Sequence, residues 1–208
     1  MSTNEVIEQA LAAQAPPVSA APPDLCDAAD SAGLLDVVYA THDSPVGPLL
    51  LASTPEGLVR VAYIDGGEDQ VLDELCHKVS PRVLRSARKL DGPRRELEQY
   101  FAGGRREFQL ALDWRLIRGF ARGVLSATVR VPYGAVSTYK QVAAAVGSPR
   151  AARAAGNALG SNPLPIVVPC HRILHADGGL GGYTGGLDRK RTLLAIESGQ
   201  RTLDDASG

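Results

Sequence analysis

Apolar and polar residues alternate along the chain between residues 35 and 64, a pattern typical of β-strands with one buried face. The alternation predicts three strands, Leu35–Thr41, Pro48–Thr54 and Gly57–Ile64. A turn containing Pro45 and Gly47 separates the first two strands. Because consecutive strands with short connections pair antiparallel, we expect a small antiparallel sheet here.

Helical spacing of apolar residues follows the predicted strands. It predicts amphipathic helices over five segments, namely Asp69–Val79, Pro93–Ala102, Ile117–Val129, 137–146 and 148–158. Ser137 and Ser148 are the expected N-caps of the last two helices, and Pro149 would occupy the first helical position of the last one. Two helices joined by a short turn, with small residues at their contact, are typical of a helix-turn-helix.

The net charge of −1 conceals a strong asymmetry along the chain. Residues 115–191 contain 11 Lys and Arg against only two acidic residues, Asp177 and Asp188. This excess favours a polyanionic partner, with nucleic acid the first candidate, although a solvated cationic face explains it equally well. We therefore expect an α+β fold: a small N-terminal antiparallel β-sheet domain with helices over residues 34–114, and an α-helical, winged helix-turn-helix-like DNA-binding domain over residues 115–199.

Both ends of the chain differ in composition from these two domains. Residues 1–33 are rich in Ala and Pro, carry five acidic residues and lack Lys, Arg and aromatic residues. Such a segment buries too little apolar surface to offset its ordering entropy, so we expect a disordered acidic tail. Residues 200–208 are expected to form a second, flexible tail.

Cys170 and His171 carry the strongest chemical signal. They follow an apolar run with three prolines, residues 163–169, which predicts a rigid and buried approach. A cysteine followed by His171 and Arg172 in basic surroundings favours the nucleophilic thiolate. Glu197, on a predicted apolar helix, could orient the imidazole in a Cys-His-acid relay. From the Cys-His pair alone, a buried cysteine beside a hydrogen-bonded histidine remains the commoner explanation.

The motif Pro169-Cys170-His171-Arg172 resembles the active-site motif of the O6-alkylguanine-DNA alkyltransferases. Order and spacing agree with that family over about Pro132–Ser198. The matching segments are Val131–Gly134, Ser137–Ala144, Ala151–Ala154, Asn162-Pro163, Gly181–Gly186 and Leu193–Glu197. Ser44–Leu49 and Gln99–Gly103 resemble the amino-terminal domain of the family more loosely.

The resemblance implies a role for each matching residue. Cys170 would accept the alkyl group from the O6 atom of guanine by in-line displacement, and His171, held by Glu197, would draw off the thiol proton through a water. Asn162 would fix the active-site turn, and Tyr139 would hydrogen-bond the leaving guanine. The base pocket would be lined by Tyr139, Tyr183, Thr184 and Ile173.

The implied partner is duplex DNA that contains an alkylated guanine, and the damaged nucleotide must be rotated out of the helix to reach a buried thiol. Arg153 would fill the gap that this nucleotide leaves. The residues implied to contact DNA are Arg150, Ala151, Ala152, Arg153 and Gly156. Because a thioether is a poor leaving group, each molecule would react once. Separately, we expect the acidic tail at residues 1–33 to be dispensable for repair.

The helix predicted over Ile117–Val129 departs from the family pattern. Leu125 stands where the family commonly has Trp, Ile117-Arg118 replaces a Gly-Thr pair, and Gly123 lies mid-helix at a cost of about 1 kcal/mol. This departure keeps open a non-catalytic lesion binder of the alkyltransferase-like kind, although those proteins lack the acceptor cysteine. A Cys-His hydrolase is the third alternative and would turn over many times.

Cofactor, metal and membrane signals are weak in this sequence. The residues His42, Cys76, His77 and Cys26 show no metal-ligand spacing, so no metal and no cofactor are expected. No apolar run approaches the roughly 20 residues that a membrane-spanning helix needs. Three scattered cysteines do not suggest a disulfide framework. We therefore expect a cytoplasmic monomer, with cooperative binding along DNA left open.

Overall fold

The computed structural model describes residues 32–33 and 35–199. The tails predicted at residues 1–33 and 200–208 lie outside this range, except for residues 32 and 33. The chain divides into two units, residues 1–35 and residues 36–208. All of the features below belong to the second unit.

The N-terminal half contains a four-stranded sheet. Its strands are β1 (Val37–His42), β2 (Leu49–Thr54), β3 (Gly57–Tyr63) and β4 (Val83–Arg85), in the order β3-β2-β1-β4. The three predicted strands are present and pair antiparallel, as expected. Strand β4 was not predicted and pairs parallel to β1, so the sheet is mixed rather than purely antiparallel.

Two helices accompany the sheet, α1 (Asp69–Lys78) and α2 (Asp91–Phe101). A short 3₁₀ turn, Arg88–Leu90, precedes α2. The apolar stripe of α1 packs Val71 and Leu75 against Leu50 and Val59 of the sheet, which forms a buried core. Both helices lie within one or two residues of their predicted bounds.

The C-terminal half is mostly helical. Its helices are α3 (Gly119–Val129), α4 (Tyr139–Ala145), α5 (Ala152–Gly160) and α6 (Leu187–Ser198). Helices α3, α4 and α5 pack on one another. A short parallel ladder joins β5 (Ser137–Thr138) to β6 (Ile173–Leu174), directly after the residues of the Cys-His motif.

Both predicted N-caps in this half are wrong. Thr138, not Ser137, caps α4, because its side chain accepts from the Gln141 amide while the Gln141 side chain accepts from the Thr138 amide. Helix α5 begins at Ala152, since the backbone at Ser148 closes a turn by accepting from the Ala151 amide at 2.9 Å.

The outer edge of β3 is covered by two segments, and the second of them connects the two halves. The Leu58 amide donates to the Ala111 carbonyl at 2.8 Å, and the Val61 amide donates to the Pro163 carbonyl at 2.8 Å. Gly57 makes the first contact possible, because a Cβ there would lie 2.3 Å from the Ala111 oxygen. Pro163 opens the segment that leads to Cys170, so the sheet positions this segment directly.

Among the described residues, none of the helices is long and apolar enough to cross a membrane.

Candidate active site

A buried turn positions Cys170. The segment from Asn162 to Cys170 is buried throughout, and Ile166 adopts a positive φ of 75°. A β-branched residue in this region carries strain of about 1–3 kcal/mol, which the surrounding packing must offset. The Asn162 amide group donates to the Val168 carbonyl at 2.9 Å and accepts from the Leu164 amide at 3.0 Å. Asn162 therefore holds the turn from inside.

Asn162 also contacts the sulfur of Cys170. Its Nδ2 donates to Sγ at 3.1 Å, and Cys170 is 5% exposed. Burial raises the pKa of the Cys170 thiol to about 11, an effect that the Asn162 hydrogen bond and the Lys190 charge oppose. The thiolate expected from the adjacent Arg172 is therefore not favoured, because this guanidinium is bound to a carboxylate instead.

That carboxylate belongs to Glu197 on α6. Arg172 binds it in a bidentate manner, through Nε to Oε2 and Nη2 to Oε1, both at 2.8 Å. The Gly134 amide donates to Oε2 at 3.3 Å, and the buried Tyr100 hydroxyl of α2 donates to Oε1 at 2.7 Å. Burial alone would raise the pKa of Glu197, but these donors and His171 lower it to about 2. Glu197 is thus an ionised, almost fully covered carboxylate.

His171 completes the cluster and is fully buried. Its Nε2 lies 2.8 Å from Oε1 of Glu197. Because an ionised carboxylate only accepts, Nε2 carries the proton and Nδ1 is the free acceptor. Nδ1 has no hydrogen-bond partner among the described residues. Burial lowers the pKa of His171, so the ring is neutral near pH 7.

Three tyrosines stand close to this cluster. Burial raises the pKa of Tyr139, Tyr183 and Tyr63, and a thiolate at Cys170 would raise all three further. The hydroxyls of Tyr63 and Tyr183 are 2.8 Å apart. The ring of Tyr139 stacks obliquely on His175 and packs so closely on Gly181 that a Cβ there would lie 2.3 Å from its hydroxyl.

Two further pocket residues were predicted from the sequence. Ile173 is fully buried in β6, immediately after the Cys-His turn. Thr184 follows Tyr183, and its hydroxyl donates to the Gly160 carbonyl at the end of α5 at 2.7 Å. The Thr184 contact ties the 183–186 loop to the helix that was predicted to meet DNA.

A buried lysine lies beside the cluster. Lys190 of α6 is fully buried, and its Nζ donates to the carbonyls of Ile173 (2.7 Å) and Leu180. No carboxylate of the described residues pairs with it. Its charge lowers the pKa of Cys170, which opposes the effect of burial.

Exposed arginines and small residues lie together at the start of helix α5. Arg150 and Arg153 are exposed, and neither forms an ion pair with any residue that the structure describes. Ala151 and Ala152 lie at the helix start, and a Cβ on Gly156 would lie 3.7 Å from the Tyr139 ring. The Gly156 side of α5 is therefore next to Tyr139.

Comparisons with known proteins decide the family. The family model for the 6-O-methylguanine DNA methyltransferase ribonuclease-like domain matches residues 37–114, and the model for the DNA-binding domain of the same proteins matches residues 119–199. Together they cover most of the chain. This chain belongs to the 6-O-methylguanine DNA methyltransferase family.

Individual relatives agree with the family models. A methylated-DNA–protein-cysteine methyltransferase of Mycolicibacterium paratuberculosis is 41% identical over 163 residues, which is 77% of this chain and 92% of the relative. The constitutive enzyme of that name from Bacillus subtilis is 36% identical over 76% of this chain and 94% of its own. The crystal structure of Mycobacterium tuberculosis OGT in complex with DNA superimposes with a TM-score of 0.68 at 37% identity, covering 80% of this chain and 96% of that one.

The 6-O-methylguanine DNA methyltransferase fold brings together Cys170, His171, Glu197 and Asn162 by direct contacts. Sequence reasoning missed three side chains of the same cluster, Tyr63, Tyr100 and Lys190. Tyr100 lies in the Gln99–Gly103 segment that resembles the family, but its motif carries no chemical signal. Tyr63 lies in β3 and Lys190 in α6, and the local sequence patterns there predict only a strand and a helix. No group of three or more His, Cys, Asp or Glu within the described chain could hold a metal ion.

Proposed function

We propose that this protein repairs duplex DNA by transferring the alkyl group of an O6-alkylguanine to Cys170. The observation that carries this proposal is a buried sulfur, held by Asn162, next to a His171–Glu197 pair with a free imidazole acceptor. A nucleophile, a base and a carboxylate that orients the base are the parts that nucleophilic displacement by a thiol needs. Relatives named methylated-DNA–protein-cysteine methyltransferase support the same reaction.

The proton path follows from the tautomer of His171. The thiol is protonated at neutral pH, so Nδ1 of His171 takes its proton, through the water that the family resemblance implies, as Sγ attacks. A carbon–sulfur bond forms while the bond between that carbon and O6 of guanine breaks, and the electron pair leaves with guanine. Glu197 stabilises the imidazolium that forms. The released guanine gains a proton, so the net exchange is one alkyl group for the thiol hydrogen.

Tyr139 is proposed to assist the departing guanine. Burial raises the pKa of its hydroxyl, which keeps the proton available for a hydrogen bond to the base. Tyr183, Thr184 and Ile173 are proposed to line the base pocket beside it. The leaving base therefore meets a donor at the moment when it carries negative charge.

Access to Cys170 requires the nucleotide to leave the duplex. A sulfur that is 5% exposed cannot reach a stacked base, so we propose that the base is rotated out and that Arg153 fills the gap. The small residues Ala151, Ala152 and Gly156 let α5 approach the DNA closely, while Arg150 attracts the phosphates without sequence preference.

The proposed reaction ends with an alkylated cysteine and no route back. A thioether is a poor leaving group, and nothing in the proposed proton path returns the sulfur to a thiol. Each molecule is therefore expected to repair one guanine. This outcome distinguishes the proposal from a Cys-His hydrolase, which would release product repeatedly.

Mass spectrometry of the intact protein tests the proposal after incubation with a duplex that carries one O6-methylguanine. We expect one added methylene on the peptide with Cys170 and one restored guanine per protein molecule. The variant Cys170→Ser should bind the same duplex and gain no mass. Lesion binding by the wild-type chain without any gain in mass would contradict methyl transfer and indicate a non-catalytic lesion binder.

A further inference from the structure

We propose that Tyr100 of the N-terminal half is a positioning residue of the relay, because its hydroxyl donates to the same Glu197 oxygen that accepts from His171. This inference rests on the proposed function and adds to it a residue outside the Cys-His motif. This oxygen shares its electron density among three donors, Tyr100, His171 and Arg172, so the Tyr100 hydroxyl limits how strongly Glu197 attracts the imidazole proton.

The geometry of the shared oxygen supports this role. Oε1 of Glu197 lies 2.7 Å from the Tyr100 hydroxyl and 2.8 Å from Nε2 of His171. The Tyr100 side chain is fully buried, so no water competes for either bond. Rings of Phe101, Phe108 and Tyr133 surround Tyr100 at centroid distances of 5.3, 5.3 and 6.0 Å. The hydroxyl is therefore fixed in direction as well as in distance.

Tyr100 can act only as a donor here. Burial and the Glu197 charge raise its pKa far above the ordinary value, so the hydroxyl keeps its proton throughout the working pH range. A Tyr hydroxyl that donates to a carboxylate withdraws negative charge from it. Removing the hydroxyl leaves more charge on Oε1, which favours the imidazolium form of His171.

The other charged and titratable side chains around the pair are the same residues in the wild-type chain and in a chain without the Tyr100 hydroxyl. The titratable and charged side chains that face Glu197 and His171 are Arg172 and Cys170 from the turn, Tyr133 from the segment after α3, and Lys190 from α6. Arg172 and Lys190 are cations that oppose protonation of His171 in the wild-type and variant chains alike. A change in the pKa of His171 is thus attributable to the loss of the Tyr100 hydroxyl.

The expected effect is a shift in the pH dependence of transfer. His171 must be neutral to accept the thiol proton, so the transfer rate falls as pH drops through its pKa. Loss of one hydrogen bond of ordinary strength corresponds to a shift of about half to one pH unit. In Tyr100→Phe this acidic limb should move to higher pH by that amount.

The matched control is Tyr133→Phe. The Tyr133 hydroxyl donates to the Ile196 carbonyl at 3.1 Å, one residue from Glu197, and not to the carboxylate. Its ring packs against Tyr100 and lies 5.8 Å from the Arg172 guanidinium. Both variants therefore remove one tyrosine hydroxyl from the same aromatic cluster and keep the ring, although Tyr133 is only half-buried.

The experiment measures single-turnover methyl transfer to Cys170 between pH 5 and pH 9, using the full chain and a duplex with one O6-methylguanine. An upward shift of the acidic limb in Tyr100→Phe, absent in Tyr133→Phe, supports the inference. Identical profiles for Tyr100→Phe and wild type, or equal shifts in both variants, overturn it. A wild-type chain that transfers nothing at any pH overturns the proposed function instead, and this inference with it.

A second readout does not depend on the reaction. Nuclear magnetic resonance titration of the His171 imidazole in unreacted protein should show a higher pKa in Tyr100→Phe than in wild type or Tyr133→Phe. An unchanged His171 titration in a folded Tyr100→Phe chain contradicts the inference even if transfer slows, because a merely structural role would slow transfer without moving this pKa.

Discussion

Glu197 shows how neighbouring donors can stabilise a buried charge whose removal from water is unfavourable. Its side chain is 1% exposed, a position that ordinarily favours the neutral acid. Arg172, His171, Tyr100 and the Gly134 amide reverse this preference by donating to both oxygens. Each of these donors helps to keep the carboxylate ionised, because a buried charge without such partners is strongly unfavourable.

The lowered pKa of Glu197 predicts a pH-dependent contribution to stability. Because the folded-state pKa is about 2 and the ordinary value is 4.5, the native state binds fewer protons than the unfolded state between these pH values. The contribution is complete above pH 4.5 and is lost as pH falls towards 2, amounting to about 3 kcal/mol. Glu197→Gln lacks it and should be less stable at pH 7.

Urea unfolding of both chains from pH 7 to pH 2.5 checks this prediction. The gap in unfolding free energy between wild type and Glu197→Gln should narrow by a few kcal/mol on acidification. Asp36 and Glu74, whose pKa values are also lowered by basic neighbours, contribute equally in both chains and cancel. A difference in unfolding free energy that stays constant with pH would contradict the lowered pKa of Glu197.

At the scale of elements, the loop before α6 governs the position of Tyr139. Gly181 has φ of 66°, and a Cβ there would lie 2.3 Å from the Tyr139 hydroxyl and 3.1 Å from its ring. The next residue, Gly182, has no atom within 4 Å of such a Cβ. Two adjacent glycines of one loop thus differ sharply in what they permit.

Gly181→Ala should therefore impair transfer and Gly182→Ala should not. Displacement of Tyr139 removes the proposed donor to guanine, and misplacement of a catalytic group by about 1 Å slows reactions between about ten- and hundredfold. Single-turnover transfer and duplex affinity are measured in parallel for both variants. Equal rates for the two alanine variants would show that Tyr139 is not constrained by Gly181.

Local patterns predicted most elements of the chain but not their long-range pairing. Alternation located β1 to β3, and helical spacing located α1 and α3, because each carries its own apolar stripe. Strand β4 has only three residues, none of them buried, and it forms because its backbone pairs with the edge of β1. The caps at Ser137 and Ser148 were misplaced because neighbouring residues satisfy the same helix amides.

The same limit applies to the site. The Cys-His motif located Cys170 and His171, and the family resemblance added Asn162 and Glu197. Tyr100 and Tyr63 reach the cluster across 97 and 120 residues of sequence through single hydroxyl contacts. A contact of that separation leaves no periodic or local signal, so only the folded chain reveals it.

At the scale of the whole molecule, the N-terminal half is part of the site rather than an appendage. Tyr63 of β3 lies between the Arg189 guanidinium, 4.4 Å from its ring centroid, and the backbone of Gly185, where a Cβ would lie 2.4 Å from the ring. Its hydroxyl meets that of Tyr183. The sheet therefore supports the loop that is proposed to hold the base.

Tyr63→Phe should slow transfer about three- to tenfold without weakening binding to the duplex, because one hydrogen bond that orients Tyr183 is lost. The control is Tyr39→Phe on strand β1 of the same sheet, because the Tyr39 hydroxyl donates to Glu68 at 3.4 Å, away from Tyr183. Transfer rates and duplex affinities are compared for both. A weaker affinity at an unchanged transfer rate would show that Tyr63 acts on DNA instead.

The pairing of β3 with Pro163 and Ala111 also affects how readily the chain aggregates when it partly unfolds. An uncovered sheet edge is a template for pairing with other chains, and native proteins cover or disrupt such edges. At Val61 the covering segment is the one that leads to Cys170, the proposed alkyl acceptor, whereas Ala111 of the N-terminal half covers Leu58. Detachment of the helical half would therefore expose the backbone amide of Val61 together with the apolar run around Ile166. We therefore expect aggregation and loss of the proposed repair activity to share one initiating event, so that whatever keeps the Cys170 turn docked also protects the chain from self-association.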